Sequence, residues 1–183
     1  DQGNGNKVVY DGTDVTVTVT GLSSLTIYYF ASYEYNIGTG TSQNYKNVAP
    51  GTGNQSTSRK IIVSNGTGGG SWSATTTWSG AVLPTQSDSV VIIGIDKVVL
   101  DATFSCYSIN ITGSAKLYTN IPLPVTIPAY LRVYGSTIQV DGTLGDKTET
   151  AANDAIGIEF TGNVILKGTG TIKPARIRPV SNT

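Results

Sequence analysis

Four carboxylates lie close together in one polar stretch of the sequence, at Asp141, Asp146, Glu149 and Asp154. Carboxylate oxygens on a flexible loop are ligands that Ca²⁺ prefers, and paired carboxylates also catalyse glycoside hydrolysis. The spacing matches neither an EF-hand loop nor the glycine-aspartate nonapeptide repeat. We therefore predict a solvated polar loop without a cofactor, and we keep a calcium site on these four residues as the alternative.

The sequence contains no histidine and a single cysteine, which removes most catalytic sets. Ser-His-Asp and Cys-His sets are impossible without histidine, the commonest general base. Cys106 lies in a strand-like run, where we predict a small buried side chain and not a reactive thiol. Lys173, Arg176 and Arg178 could serve as bases, but they alternate with proline and isoleucine, which indicates an outward face. We predict no catalytic residue and a chain that is not an enzyme.

Two further patterns suggest ligand binding. Tyr29, Tyr33 and Tyr35 fall on one side of a strand predicted over residues 26–36, where aromatic faces could stack on sugar rings. The alternative, which we favour, is that this stripe packs against cross-strand neighbours or an adjacent domain. The glycine-rich loop at residues 64–70 could cradle a phosphate, but neither a Lys-Ser/Thr pair nor a helix follows it. Glycans remain a candidate partner and phosphates do not.

The composition is that of an all-β protein without affinity for polyanions. Charged residues make up 13% of the 183 residues, and glycine (22) and tyrosine (10) are abundant while helix formers are sparse. The formal net charge is +0, so we expect no nucleic acid partner. No apolar run approaches the ~20 residues of a membrane span, so we expect no membrane insertion. The lack of methionine predicts a piece of a longer chain, and export is compatible with a removed signal peptide.

Residues 1–50 resemble the second half of a fibronectin type III-like module. Residues 14–20 alternate valine with threonine, which predicts a half-buried antiparallel strand. Leu22 precedes Tyr28 by six residues, as in the tyrosine corner of such sandwiches. The run GLSSLTIYYFASYEYN is similar to modules of large Bacteroidetes surface proteins, although Ser24-Leu25 stands where that family has Pro-Gly. The resemblance implies a partial Ig/fibronectin-like sandwich, and residues 51–60 have the composition of a linker.

A repeated pattern of apolar, any, apolar, any, glycine runs through residues 61–183. It ends at Gly94, Gly113, Gly135 and Gly162, spaced by about 19, 22 and 27 residues, in the range of solenoid coils with variable loops. Glycine permits a bend between two short strands of one coil, so we expect these residues to be solenoid corners along one edge. The pattern predicts the start of a parallel β-solenoid. The alternative is a sandwich of hairpins.

Both tryptophans lie just before this repeat, in a segment rich in Ser, Thr and Gly. The segment resembles the tryptophan-rich start of right-handed β-helices in exported bacterial adhesin-like proteins and animal surface proteins. The matching residues are Trp72, Trp78, Gly80, Pro84, Asp88, Val90, Ile92 and Asp101. The resemblance implies a structural cap formed by Trp72, Trp78, Pro84 and Asp88, with both indoles buried over the first coil.

These features together predict a non-enzymatic structural or adhesive segment of a large exported protein, at the cell surface or in a filament. Its expected partners are the remainder of a longer chain or other copies of itself, and glycans are a further candidate. Two alternatives stay open: the non-catalytic front part of a β-helix carbohydrate-active enzyme, and a segment of a viral tail fibre.

Overall fold

The computed structural model describes residues 7–37, 43–46, 49–119, 129–145, 156–173 and 176–180. Throughout these residues the structure is all-β, interrupted only by two short 3-10 turns at Thr75–Thr77 and Ser79–Ala81. The chain divides into two compact units, Asp1–Ser58 and Arg59–Thr183. In the described part, no helix has the length and apolar character needed to cross a membrane.

The first unit contains two small antiparallel sheets. Strand β1 (Ile27–Ser32) pairs with β4 (Gly51–Ser56), and β2 (Tyr35–Ile37) pairs with β3 (Gln43–Tyr45). Residues 51–60, which have the composition of a linker, are therefore largely the strand β4. In this pair Gly53 lies opposite Phe30 and leaves room for its ring. With only two strands in each sheet, the described residues do not form an Ig-like sandwich.

The predicted strand at residues 14–20 is not formed. Val15, Val17 and Val19 are 98%, 50% and 39% exposed, and the described residues supply no partner strand for them. Alternation produces a strand only where a neighbouring strand takes its hydrogen bonds and a core takes its apolar face. The prediction was wrong because both are absent around these valines in the described unit.

The second unit is a parallel β-solenoid, which confirms the prediction over the sandwich of hairpins. Its strands in chain order are β5 (Ile61–Val63), β6 (Gly69–Ser71), β7 (Ser89–Ile92), β8 (Lys97–Val99), β9 (Phe104–Cys106), β10 (Ser108–Ile111), β11 (Lys116–Tyr118), β12 (Ala129–Val133), β13 (Thr137–Val140), β14 (Thr143–Leu144), β15 (Ile156–Phe160), β16 (Ile165–Lys167), β17 (Thr171–Ile172) and β18 (Arg176–Pro179). The first sheet is β5-β7-β10-β13-β16, the second is β6-β8-β11-β14-β17 and the third is β9-β12-β15-β18.

Inward-facing aliphatic side chains form continuous stacks along this solenoid. In the first sheet, the strand register places Ile62, Val90, Ile109, Ile138 and Leu166 at consecutive positions. The first four of these residues are at most 2% exposed. Each buried side chain of this size contributes about 1.5–3 kcal/mol, so the stacks hold the coils together.

The four repeat glycines lie at two different corners of the solenoid. Gly94 and Gly113 follow β7 and β10 of the first sheet, whereas Gly135 and Gly162 follow β12 and β15 of the third. The prediction that all four lie along one edge is therefore wrong. The sequence pattern does not separate the two corners, because strands of both sheets place apolar residues at every second position before a turn. Gly94 has a φ of 64°, while a Cβ on Gly135 would overlap the carbonyl oxygen of Tyr107.

Candidate functional site

The start of the solenoid is closed by the two tryptophans. Trp72 and Trp78 are 1% and 2% exposed and belong to the same core cluster as Val90 and Ile92. Their rings meet edge to face with centroids 5.0 Å apart, and the Trp78 indole N–H donates to the Trp72 carbonyl over 2.9 Å. Trp72 also stacks on Phe104, in the first strand of the third sheet, at 5.8 Å. The indoles therefore cover the core where that sheet begins.

Pro84 and Asp88 lie at the two ends of the turn that leads into β7. Pro84 is buried and Asp88 is 7% exposed. The Asp88 carboxylate accepts hydrogen bonds from the backbone N–H and the hydroxyl of Thr85, at 2.9 and 2.7 Å. These hydrogen bonds stabilise the turn, a role that aspartate commonly has.

The glycine-rich loop at residues 64–70 cradles an internal carboxylate. Asp96 is 0% exposed, and its two carboxylate oxygens accept from the N–H groups of Gly66 and Gly68 at 2.8 and 2.7 Å. Burial opposes ionisation of Asp96, but hydrogen bonds from the Ser64 hydroxyl and from backbone N–H groups outweigh it and hold its pKa below the ordinary value. Sequence reasoning missed Asp96, although the loop's capacity to hold an anion was a usable signal.

Asp141 is the one member of the predicted calcium cluster in the described part of the chain. Its carboxylate accepts from the Gln139 amide at 2.8 Å and from the Thr169 N–H and hydroxyl at 3.1 and 3.3 Å. The hydrogen bond from Gln139, followed by those from Thr169, holds the pKa of Asp141 below its ordinary value. Asp146, Glu149 and Asp154 lie outside the described residues. Among those described, no group of three or more His, Cys, Asp or Glu residues could hold a metal ion.

A charged ladder runs across the outer face of the third sheet. Glu159 in β15 lies in register with Arg132 in β12 and Arg178 in β18. The carboxylate, 3% exposed, is 2.6 Å from the Arg132 Nε and 2.5 Å from an Arg178 Nη. Burial would raise the pKa of Glu159, but the two guanidinium groups outweigh it and hold the pKa below its ordinary value. The Arg178 guanidinium also lies over the ring of Tyr130 at 4.4 Å.

The far end of the solenoid is open. Strands β16, β17 and β18 are the last strands of the three sheets, and Leu166 and Ile177 on them are 45% and 55% exposed. In the preceding coil, their register partners Ile138 and Ile158 are each 2% exposed. A cavity of about 190 Å³ lies between these coils and is lined by apolar side chains, among them Leu144 and Ile172. The apolar interior therefore reaches solvent at this end.

In the first unit, the predicted tyrosine corner has its hydrogen bond. The Ser23 N–H donates to the Tyr28 hydroxyl at 2.9 Å, and Leu22 is 41% exposed. Thr57 supports the same turn, because its hydroxyl donates to the Ser23 carbonyl at 2.6 Å and accepts from the Thr26 N–H at 3.0 Å. The hydroxyl of Tyr28 thus reaches back to the backbone even where the described residues lack a full sandwich.

The tyrosine stripe divides between two sheets. Tyr29 in β1 and the nearby Tyr33 are 80% and 49% exposed. Tyr35 in β2 instead packs on Tyr45 with centroids 5.5 Å apart, and its hydrogen bond to Asp11 raises its pKa. Tyr29 and Tyr33 keep free ring surface, whereas the Tyr35 ring is already stacked on protein.

Cys106 is 0% exposed, and burial raises the pKa of its thiol. A buried neutral thiol is a poor nucleophile, so this residue packs as a small apolar side chain. Of the basic residues at the end of the chain, Arg178 lies on the outer face in its pair with Glu159, and Lys173 is exposed.

No protein-family model, curated protein or solved structure matches the chain significantly.

Proposed function

We propose that this chain is a non-enzymatic structural segment of a large exported protein, as in the surface and adhesin-like proteins of Bacteroidetes that it resembles. In this proposal the solenoid is right-handed and starts at the tryptophan cap. Further β-coils, from a longer chain or another molecule, continue it at the open end. The first unit contributes a fibronectin-like module.

One observation carries this proposal: the two ends of the solenoid differ. At the start, Trp72 and Trp78 are buried and close the core. At the other end, Leu166 and Ile177 leave half of their surface in water. Exposed apolar surface on a sheet edge marks an interaction site, because covering it is favourable. The exposed apolar side chains of β16 and β18 therefore support a further β-coil as their cover.

The occupied carboxylates support a structural role over catalysis. Asp96 and Asp141 bind backbone N–H groups of loops, and Glu159 binds two arginines. All three have a pKa below the ordinary value, so they stay ionised and are poor proton donors at neutral pH. Each of these carboxylates connects one coil to a neighbouring coil.

The proposal is tested by giving the open end a further coil. A duplicate of residues 136–162 is inserted after Val180, which places a second β13-β14-β15 set on the present last strands. We expect a higher thermal midpoint, followed by tryptophan fluorescence, because the inward side chains of the last coil become buried. The matched control inserts the same segment with its copies of Ile138, Leu144 and Ile158 changed to serine. Equal midpoints for the two insertions would contradict the proposal.

Two further measurements address catalysis and location. Neutral and acidic polysaccharides incubated with the chain should release neither reducing ends nor unsaturated products. Brief protease treatment of intact source cells should remove the protein from the cell surface. Polysaccharide cleavage, or full protection inside the cell, would count against a structural surface role.

A further inference from the structure

We propose that the open end binds a polypeptide β-coil with apolar inward residues and an acidic residue in register with Arg178. The inference rests on the proposed function, because it specifies the chemistry of the coil that the end receives. Three observations support it: the backbone edge, the charged ladder and the charge of the last coil.

The backbone of each coil is already a template for the following one. The Leu144 carbonyl accepts from the Lys173 N–H at 2.8 Å, and the Phe160 carbonyl accepts from the Val180 N–H at 2.9 Å. In parallel strands such bonds repeat at every second residue. On the last coil the corresponding edges belong to β16, β17 and β18, which have no further strand beside them within the described ranges. A strand added there would also cover Leu166 and Ile177.

The charged ladder sets the preferred residue at one position of that coil. Glu159 bridges Arg132 on the preceding coil and Arg178 on the following coil, so basic and acidic residues alternate along this row of the third sheet. The Arg178 side chain remains 44% exposed and directs Nε and one Nη to Glu159. A carboxylate in the next register position would form the same pair on its open side, whereas a cation would be repelled.

The rest of the last coil is positively charged, like Arg178. This charge disfavours a second copy of the chain as the occupant of the open end. From Phe160 to Thr183 the sequence contains four basic residues and no acidic one. Lys167 and Lys173 on this coil are exposed. Two copies joined through their open ends would bring these cations together, while a coil with acidic outward residues would neutralise them.

The test uses the full chain and a labelled peptide with the sequence of β15 and its turn, IGIEFTG, which already pairs with arginine strands on both sides. Fluorescence anisotropy at low salt should show that this peptide binds roughly tenfold more tightly than IGIKFTG, the difference between an attractive and a repulsive cross-strand pair. Arg178→Gln should reduce this preference to about twofold or less, because it removes the positive charge that distinguishes the two peptides. Lys97→Gln removes the same charge from β8, two strands before β14 in the second sheet and away from the open end, and should leave the preference unchanged.

A second pair of variants tests the apolar contact. Ile177→Asp places a charge on the inward face of β18 and should abolish binding of both peptides. Ile165→Asp changes an outward residue of β16 that is 63% exposed, and it should preserve binding. Native tryptophan emission shows that each variant is folded, and the comparison of the two peptides on the unaltered chain does not depend on any variant.

Equal or tighter binding of the lysine peptide, or binding of neither peptide, would overturn the inference. Self-association that Ile177→Asp abolishes, seen by sedimentation without peptide, would assign the open end to a second copy and also overturn it. The proposed function fails separately, if the inserted coil gives no stabilisation. A stabilising insertion without any peptide charge preference would leave that function standing and remove only this inference.

Discussion

At the residue scale, the two tryptophans of the cap are equally buried but differ in hydrogen bonding. The Trp78 indole N–H has the Trp72 carbonyl as its acceptor, whereas Trp72 Nε1 has no acceptor within the described part of the structure. We predict that Trp78→Phe lowers the free energy of unfolding by about 1 kcal/mol more than Trp72→Phe, because only the former loses a hydrogen bond. Urea denaturation followed by circular dichroism compares the two variants. An equal loss would mean that the indole bond contributes nothing.

Asp96 connects the glycine-rich loop to the coil that follows it. Its partner Gly68 lies 28 residues earlier in the sequence, so one side chain fixes two coils. Asp96→Asn replaces one acceptor oxygen by a donor facing a backbone N–H. We expect a loss of about 1–3 kcal/mol in the free energy of unfolding, the usual cost of an unpaired buried polar group. Asp101→Asn is the matched control, because Asp101 bonds Ser73 in the same way but is exposed, and it should cost less than half as much.

The same carboxylates predict how stability depends on pH. Asp96, Asp141 and Glu159 all have a folded-state pKa below the ordinary value near 4. Their contribution is present above the unfolded pKa and is lost as pH falls through the lower folded values. Thermal midpoints should therefore be flat from pH 7 to about 5 and fall below about pH 4. Asp96→Asn should reduce the fall of the thermal midpoint below pH 4. A fall as steep as that of the unaltered chain would contradict the role assigned to Asp96.

At the element scale, the sequence predicts the strands of the second unit well and those of the first unit poorly. The alternation before Gly94 and Gly113 marks strands correctly, because stacked coils give every such strand a partner and a core. The alternation at Val15 and Val17 is just as regular but forms no strand. A local pattern shows what a segment can form, and a distant partner decides whether it forms. For the same reason the strand Gly51–Ser56, paired with β1, could not be recognised in a segment of linker composition.

The corner glycines illustrate the same limit and give a prediction. The sequence identifies them as bends, but it does not reveal that they lie at two different corners. Gly94 is needed for its positive φ, whereas Gly135 is needed for close approach to the Tyr107 backbone. Gly94→Ala should cost about 1–2 kcal/mol, the strain of a side chain at positive φ, since no atom crowds its Cβ position. Gly135→Ala should cost more, because its Cβ would overlap the Tyr107 carbonyl and force two coils apart. Chemical denaturation ranks the variants, and the reverse order would show that the third-sheet corner relaxes easily.

At the scale of the whole solenoid, the strand pairs of its described residues all join successive coils. Arg132, Glu159 and Arg178 lie on three successive strands, and the aliphatic stacks follow the same order. Stability in such an array is close to a sum of coil and interface contributions, so a coil with a neighbour on one side is the weakest. The tryptophan cap replaces the missing neighbour at the start. The open end has no such replacement among the described residues.

This difference predicts a gradient of local stability along the solenoid. Amide hydrogens of β7, β10 and β13, which have strands on both sides, should exchange slowly and near the global unfolding limit. Amides of β16, β17 and β18 should exchange at least tenfold faster, because this coil can open without breaking the others. Strand β5, at the opposite edge of the first sheet, is the internal control: it also has one partner, but Ile62 beneath the cap is 2% exposed. Hydrogen exchange followed by mass spectrometry measures all these segments together. Equal protection of β5 and β16 would show that the two ends are equally closed, which contradicts the assignment of the last coil as the less stable one.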